Sequence, residues 1–195
     1  MSATDPETTR AVYDAEAAAF DAQQSRPLFE ARWLARFAAG LPAAGHVLDL
    51  GCGAGEHIAR WFMAEGFRLT GVDVAPAMLD ITLRCWPEVD WYEADMRSLD
   101  LGQRFDGIVV WDSLYHLTSD DQRRTLSRIA DHLRSGGTLL ATVAPGQARL
   151  KVRWQTGPSI TPACRRPDTH SCWRTTACGS PAFLRKTPSA TTTAC

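Results

Sequence analysis

No stretch of this 195-residue chain approaches the ~18 consecutive apolar residues of a membrane-spanning helix. The first residues are acidic and alanine-rich and hold no apolar leader core. A cytoplasmic protein with no membrane partner is the expectation. Lysine is nearly absent: Lys151 and Lys186 are the only two, both late in the chain. Residues 1–148 contain only Cys52 and Cys85, without the paired Cys/His spacing of a zinc site, so no metal is expected there. There is no internal repeat. The G-x-G-x-x-G/A fingerprint of dinucleotide sites is missing too, because Glu56 stands where the third Gly or Ala belongs.

What is present is unevenly distributed. Residues 1–148 hold 13 basic and 21 acidic residues; residues 149–195 hold 8 basic and one acidic residue, Asp168. Four of the six cysteines (Cys164, Cys172, Cys178, Cys195) also lie in the second part. Two compositions meet near Gln147. The break sets off an aberrant tail over 149–195, and the patterns that follow divide the rest into a helical cap over 1–42 and a core over 43–148.

The first part alternates strand and helix patterns. Thr8–Gln24 spaces Val12, Tyr13, Ala15, Ala19 and Phe20 for a helix, and a second is expected from Pro27 to Gly40. His46–Leu50 reads as strand one, with a helix from Gly55 to Glu65. Phe67–Val74 is strand two, Pro76–Cys85 a helix, Val89–Glu93 strand three and Phe105–Trp111 strand four. Thr118, with Asp121 three residues on, is a capped helix start. That helix is expected to reach Arg134, stop at Gly136-Gly137, and give way to strand five at Thr138–Ala144. Five strands with helical crossovers predict an α/β chain with a doubly wound, mostly parallel, Rossmann-like sheet.

The chemistry gathers around Asp49-Leu50-Gly51-Cys52-Gly53-Ala54-Gly55. Glycines at alternate positions let the backbone turn sharply and let a ligand approach without a Cβ in the way. Cys52 reads as a small filler of this turn rather than a nucleophile. Asp73 ends strand two, where ligands of parallel sheets bind, and a carboxylate there can accept both hydroxyls of a ribose.

The pattern D-x-G-x-G-x-G resembles motif I of class I S-adenosylmethionine (SAM)-dependent methyltransferases. Gly71-Val72-Asp73, Glu93-Ala94-Asp95 and Phe105-Asp106-Gly107 leading to Asp112 match that family in register, over residues from about 8 to 148. The resemblance is greatest to small bacterial methyltransferase-domain proteins acting on small molecules. It implies SAM as cofactor and S-adenosylhomocysteine as product. It also implies that Asp95 accepts from the adenine amino group with Met96 against the ring, and that Asp112 lies near the methionine end. Asp49, Gly51, Cys52, Gly53, Gly55, Val74 and Met78 complete the expected cofactor shell, and Tyr13 would close over it. His116, with Tyr115 beside it, is the candidate base, set against a packing or helix-capping role. The implied reaction is in-line methyl transfer to a small-molecule acceptor; the alternative is a cofactor-binding protein without turnover.

The tail shows neither helical nor strand period, and its prolines break both. The family's last two strands therefore read as missing, with nothing expected to pair with strand five. A shifted reading frame explains this: from Trp154 to Thr193, codons starting on the third printed base permit a turn, a capped helix, a glycine stop and an apolar strand. A zinc reading of Cys164, His170, Cys172 and Cys178 fits no compact pattern, and basic charge alone does not make nucleic acid the expected partner.

Overall fold

The computed structural model describes residues 6–23, 28, 30–143 and 180–185. Six strands form one sheet: β1 (His46–Leu50), β2 (Arg68–Asp73), β3 (Asp90–Glu93), β4 (Phe105–Val110), β5 (Leu133–Val143) and β6 (Ser180–Arg185), in the order β3-β2-β1-β4-β5-β6. The first five run parallel. The helices are α1 (Pro6–Gln23), α2 (Ala31–Ala38), α3 (Ile58–Ala64), α4 (Pro76–Cys85) and α5 (Ser119–His132).

Both faces of the central strands are buried, and these strands read accordingly as apolar runs split by a period of two. Leu48, Leu50, Ile108, Val110, Leu139 and Ala141 pack with Leu126 and Ile129 of α5. The alternate residues Val47, Val109 and Leu140 pack with Leu34 and Phe37 of α2 and with Ala59 and Phe62 of α3. The chain builds outward from β1 to β3, then crosses back to place β4 on the other side of β1. The crevice at such a reversal, beyond the carboxyl ends of the strands, is where this kind of sheet binds ligands.

Three expectations need correction. Helix α3 starts at Ile58, not Gly55. The glycine turn runs on through His57, whose φ of 68° is paired with a three-residue turn closed by Ile58 N–H to Glu56 C=O at 3.0 Å. Helix α5 ends at His132, and β5 already begins at Leu133. Between Phe105↔Leu133 and Gly107↔Thr138 the ladder breaks, so Arg134–Gly137 form an irregularity in the strand rather than a helix stop. Gly136 has a φ of 80° there, and Asp106 pins the loop by accepting from both Arg134 Nη1 (2.7 Å) and the His46 backbone (2.8 Å).

The third correction concerns the tail. Part of it does pair with the sheet: β6 lies antiparallel on β5, from Thr138↔Arg185 to Val143↔Ser180. An edge strand needs a partner ladder more than an intrinsic pattern. Ala182-Phe183-Leu184 is apolar enough to continue one, and Pro181 is tolerable where one side of the strand has no neighbour. Strand β5 is therefore not an open edge. The expected start of α2 at Pro27 and the rest of the tail lie outside the described residues.

Candidate active site

The glycine turn hangs on strand β2. The N–H groups of Gly51 (2.7 Å) and Cys52 (3.0 Å) both donate to Val72 C=O. Gly51 has φ 81°, and a Cβ there would sit 2.4 Å from the Ser113 Cβ, so only glycine fits. Gly53 has φ 55°, and a Cβ there would meet nothing within 4 Å. The turn thus presents bare backbone to open space.

Asp73 ties this turn to α4. Its Oδ2 accepts from Gly53 N–H at 2.8 Å and its Oδ1 from Ala75 N–H at 2.9 Å. Each oxygen keeps lone-pair capacity for a further donor. Burial pushes the Asp73 carboxyl up, against the pull of the Ala75, Gly53 and Val74 backbone groups. Asp49, 2% exposed, is pushed up to about 7, by burial first and by Asp73 second.

Strand β4 delivers the other wall. Asp112 follows it with a φ of 50°, and its N–H donates to Thr142 Oγ1 at 2.7 Å. Ser113 Oγ donates to Leu50 C=O at 3.0 Å, tying the end of β4 to the end of β1. A short 3₁₀ turn, Leu114–His116, then brings His116 Nε2 within 3.1 Å of Tyr13 Oη, with the rings edge to face. Burial lowers the His116 pKa and raises the Tyr13 pKa, the latter helped by the carboxylates of Asp73 and Asp112. The phenol therefore feels both strand ends that flank the crevice. Burial, then Asp112 and Tyr13, keep the Tyr115 phenol well above its ordinary range.

Helix α1 covers this edge. Arg10 reaches Glu93 at 2.8 Å, Asp14 accepts from Ala77 N–H at 3.1 Å, and Ala17, 4% exposed, packs with Ala54, Ala75 and Met78. Arg10, Tyr13, Asp14 and Ala17 are spaced on one helix face.

The structure thus brings together the glycine turn, Asp73, Asp112, Tyr13, Tyr115 and His116. Met96 joins them, with its Cε 3.3 Å from where a Gly51 Cβ would stand. It does not bring Met78 to the crevice surface; that side chain is 1% exposed, packed behind the turn. Cys52 keeps a neutral thiol, since burial raises its pKa, and its Sγ faces Gly53 C=O at 3.6 Å. Val74 sits between Asp73 and Ala75, partly buried. Asp95 is engaged by Arg97 and held below the usual carboxylate range, mainly by that side chain. Among the described residues no group of His, Cys, Asp and Glu could hold a metal ion.

Sequence reasoning missed Arg10, Asp14 and Thr142, whose partners lie 30 to 83 residues away. It also missed Trp86 and Trp91. Their rings stand where a Cβ on Gly55 (2.8 Å from Trp86) or on Gly71 (2.1 Å from Trp91) would go. Only the spacing of Arg97 two residues after Asp95 was a local signal.

Comparison with known proteins agrees with this geometry. Residues 47–137 match the family model described as methyltransferase domain. The chain is 39% identical over 107 residues to dTDP-4-amino-2,3,4,6-tetradeoxy-D-glucose N,N-dimethyltransferase of Saccharopolyspora spinosa, covering 54% of this chain and 42% of that protein. It is 30% identical over 138 residues to the putative methyltransferase YqeM of Bacillus subtilis, covering 68% and 55%. Among solved structures, SAM-bound CalS10, an amino pentose methyltransferase from Micromonospora echinaspora, superposes with a TM-score of 0.56 at 31% identity, over 66% of this chain and 55% of that one. The N-methyltransferase NodS of Bradyrhizobium japonicum gives 0.61 at 26% identity, over 72% and 75%. The matches span about half the length of the first two relatives. With glycine turn, sheet order and family match in agreement, residues 47–137 form a methyltransferase domain with the Rossmann-like fold of the class I SAM-dependent methyltransferases.

Proposed function

We propose that this chain binds SAM across the glycine turn and transfers its methyl group to an amine of a small-molecule acceptor. The observation that carries the reading is the Tyr13–His116 pair, held at the carboxyl edge between Asp73 and Asp112. The relatives that methylate amino sugars favour nitrogen over oxygen as acceptor.

The residues fit the cofactor. Open space beside Gly53 and spare lone pairs on Asp73 suit a ribose, with Met96 beside the turn and Asp95 beyond it. Bound there, SAM would supply an electrophilic methyl group on its sulfonium for in-line transfer to the acceptor nitrogen, with S-adenosylhomocysteine as the product. The chain's own task is alignment and exclusion of water. Tyr13 and His116 fix each other by their hydrogen bond, and α1 covers the crevice above them. Burial lowers the His116 pKa, so the imidazole is neutral at pH 7 and, with Nε2 bonded to Tyr13 Oη, can take the acceptor's proton by way of that hydroxyl. Burial raises the Asp112 pKa, and a cationic amine bound at this end would draw its carboxyl back toward the ionised form.

The working layout is a helical cap over 1–42, a core over 43–148 and a tail over 149–195 whose frame deserves resequencing. Among the described residues no helix is long and apolar enough to cross a membrane.

Methyl-labelled SAM, incubated with amino-sugar nucleotides, simple amines and hydroxyl acceptors, tests the reading. Label on an amine supports it. Label only on oxygen or on macromolecules overturns the acceptor class. Calorimetric SAM binding, lost in Asp73→Ala, without transfer to any acceptor would instead favour a binding protein.

A further inference from the structure

Tyr115 lies in the crevice, yet a proton path through Tyr13 and His116 leaves it without a task. Its place is fixed on both sides. Ser113 Oγ donates to Leu50 C=O at 3.0 Å just before it, and Leu114 is 1% exposed in the core. His116 N–H to Ser113 C=O and Leu117 N–H to Leu114 C=O, both 3.2 Å, close the 3₁₀ turn around it. Strand β5 packs against the same turn. Tyr115 is half-buried, and its ring lies against the His116 imidazole, with centroids 4.6 Å apart and planes tilted by 45°.

The imidazole thus has two aromatic neighbours that meet it differently. Tyr13 stands edge to face, with centroids 5.8 Å apart and planes at 77°, and reaches Nε2 through its hydroxyl. Tyr115 offers its ring. A loosely held imidazole flips readily, because the last side-chain torsion of histidine is broad and roughly two-fold. A ring lying against it takes away that freedom. It also takes away water: burial is the largest cause of the lowered His116 pKa, and the Asp112 backbone works the other way. Tyr115 is a neutral cover, because burial first, then Asp112 and Tyr13, hold its phenol well above the ordinary range.

We propose that Tyr115 is a positioning residue for the proton path: its ring keeps water from the His116 imidazole and holds Nε2 on the Tyr13 hydroxyl. This rests on the reading that His116 takes the acceptor's proton through Tyr13. The flat ring alone is required, so phenylalanine should serve as well as tyrosine. The charged neighbours of the pair are Asp112 after β4, Asp73 of β2, which reaches Tyr13, and Glu30 ahead of α2, which reaches Asp112. All of them stay in place when Tyr115 is changed.

The first test needs no acceptor. Ring nitrogen shifts of the histidine-labelled full chain, followed by NMR from pH 5 to pH 8, give the titration midpoint and the tautomer of His116, with His116→Gln assigning its signals. Wild type should titrate below the ordinary value of about 6.5 and keep Nε2 bare to accept from Tyr13. In Tyr115→Ala the midpoint should rise toward that value by about half a pH unit or more, and the tautomers should mix. Tyr115→Phe should match wild type. An unchanged midpoint and tautomer in Tyr115→Ala overturns the proposal. So does a midpoint that falls, which would mean that the ring favours the imidazolium. Should Tyr115→Ala fail to fold, Tyr115→Gln decides by the same two readings. The second test measures kcat and KM with labelled SAM and the amine that takes the label. Tyr115→Ala should lose about tenfold or more in kcat at pH 8, with KM for SAM changed less than about threefold, while Tyr115→Phe keeps at least about half of the wild-type rate. A Tyr115→Phe variant as slow as Tyr115→Ala overturns the proposal and gives the task to the hydroxyl. A shifted His116 midpoint with an unchanged kcat takes His116 out of the reaction, and the proposal with it.

Discussion

Asp49→Asn should stabilise this protein, by an amount that grows as pH rises from about 4 to about 7 and then levels off. The side chain is 2% exposed within β1, and its carboxyl is moved from an ordinary 3.8 to about 7 by burial and, secondarily, by Asp73. An acid whose pKa rises on folding holds its proton more tightly in the folded chain. Its contribution is fully present below about pH 4 and is lost as pH climbs through about 7. The gap of about 3 pH units, at 1.36 kcal/mol each, puts the ceiling near 4 kcal/mol. Relaxation and water penetration bring the expected loss to roughly 1–3 kcal/mol. Asparagine keeps the shape and removes the ionisation. Urea unfolding, followed by tryptophan fluorescence without cofactor at pH 5, 6, 7 and 8, should show wild type and variant within about 1 kcal/mol of each other at pH 5. At pH 8 the variant should lead by roughly 1–3 kcal/mol, or about 2–12 °C in melting temperature. Equal stability at pH 8, or a variant weaker by the same amount at every pH, would refute the reasoning. A bound sulfonium favours the ionised acid, so wild-type SAM affinity should rise from pH 6 to pH 8, and this slope should vanish in the variant.

Removing the hydroxyl with Tyr13→Phe takes the partner from His116 Nε2; kcat should fall about tenfold or more, with cofactor affinity changed less than about threefold, measured by transfer assay and calorimetry. His116→Ala should cost about 10²- to 10⁴-fold in kcat. Because the His116 pKa is lowered, the wild-type rate should be level at pH 7 and above and decline only below the usual histidine range; a decline beginning at pH 7.5 would contradict this. The two turn glycines should separate stability from binding. Gly51→Ala drives a Cβ to 2.4 Å from Ser113 and should lower the melting temperature by several degrees. Gly53→Ala meets open space, so it should cost only the left-handed strain of about 1–2 kcal/mol while reducing SAM affinity at least about tenfold. Equal losses of both properties in both variants would show that Gly53 does not face the cofactor.

Much of this site could be read from local pattern because its parts are local. Strand β1 at His46–Leu50 and helix α4 at Pro76–Cys85 follow from an apolar run and from a proline in the first turn, and the structure has both at those bounds. The Thr118 cap was visible too, since its partner Asp121 is three residues on. What escaped was set by distant partners. His57 reads as a helical residue until the glycine turn it must close is known. Leu133 reads as the end of a helix until β4 offers it a ladder. The Tyr13–His116 bond spans 103 residues, and no periodicity contains it. Strand β6 was invisible for the same reason: five residues of apparent noise and one proline become a strand only beside β5.

The roof made by α1 also has a place in time. Its contacts to Ala77, Glu93 and His116 close loops of 63, 83 and 103 residues, whereas the strands beneath pair with nearer neighbours. Such distant closures are entropically late, so the sheet can assemble before α1 docks. A helix held by polar side-chain tethers and a small apolar patch around Ala17 also detaches at less cost than a strand between two others. Native-state hydrogen exchange should therefore release the α1 amides through a sub-global opening while those of β1 and β4 wait for global unfolding. The last step of folding and the admission of cofactor would then be the same movement, run in opposite directions.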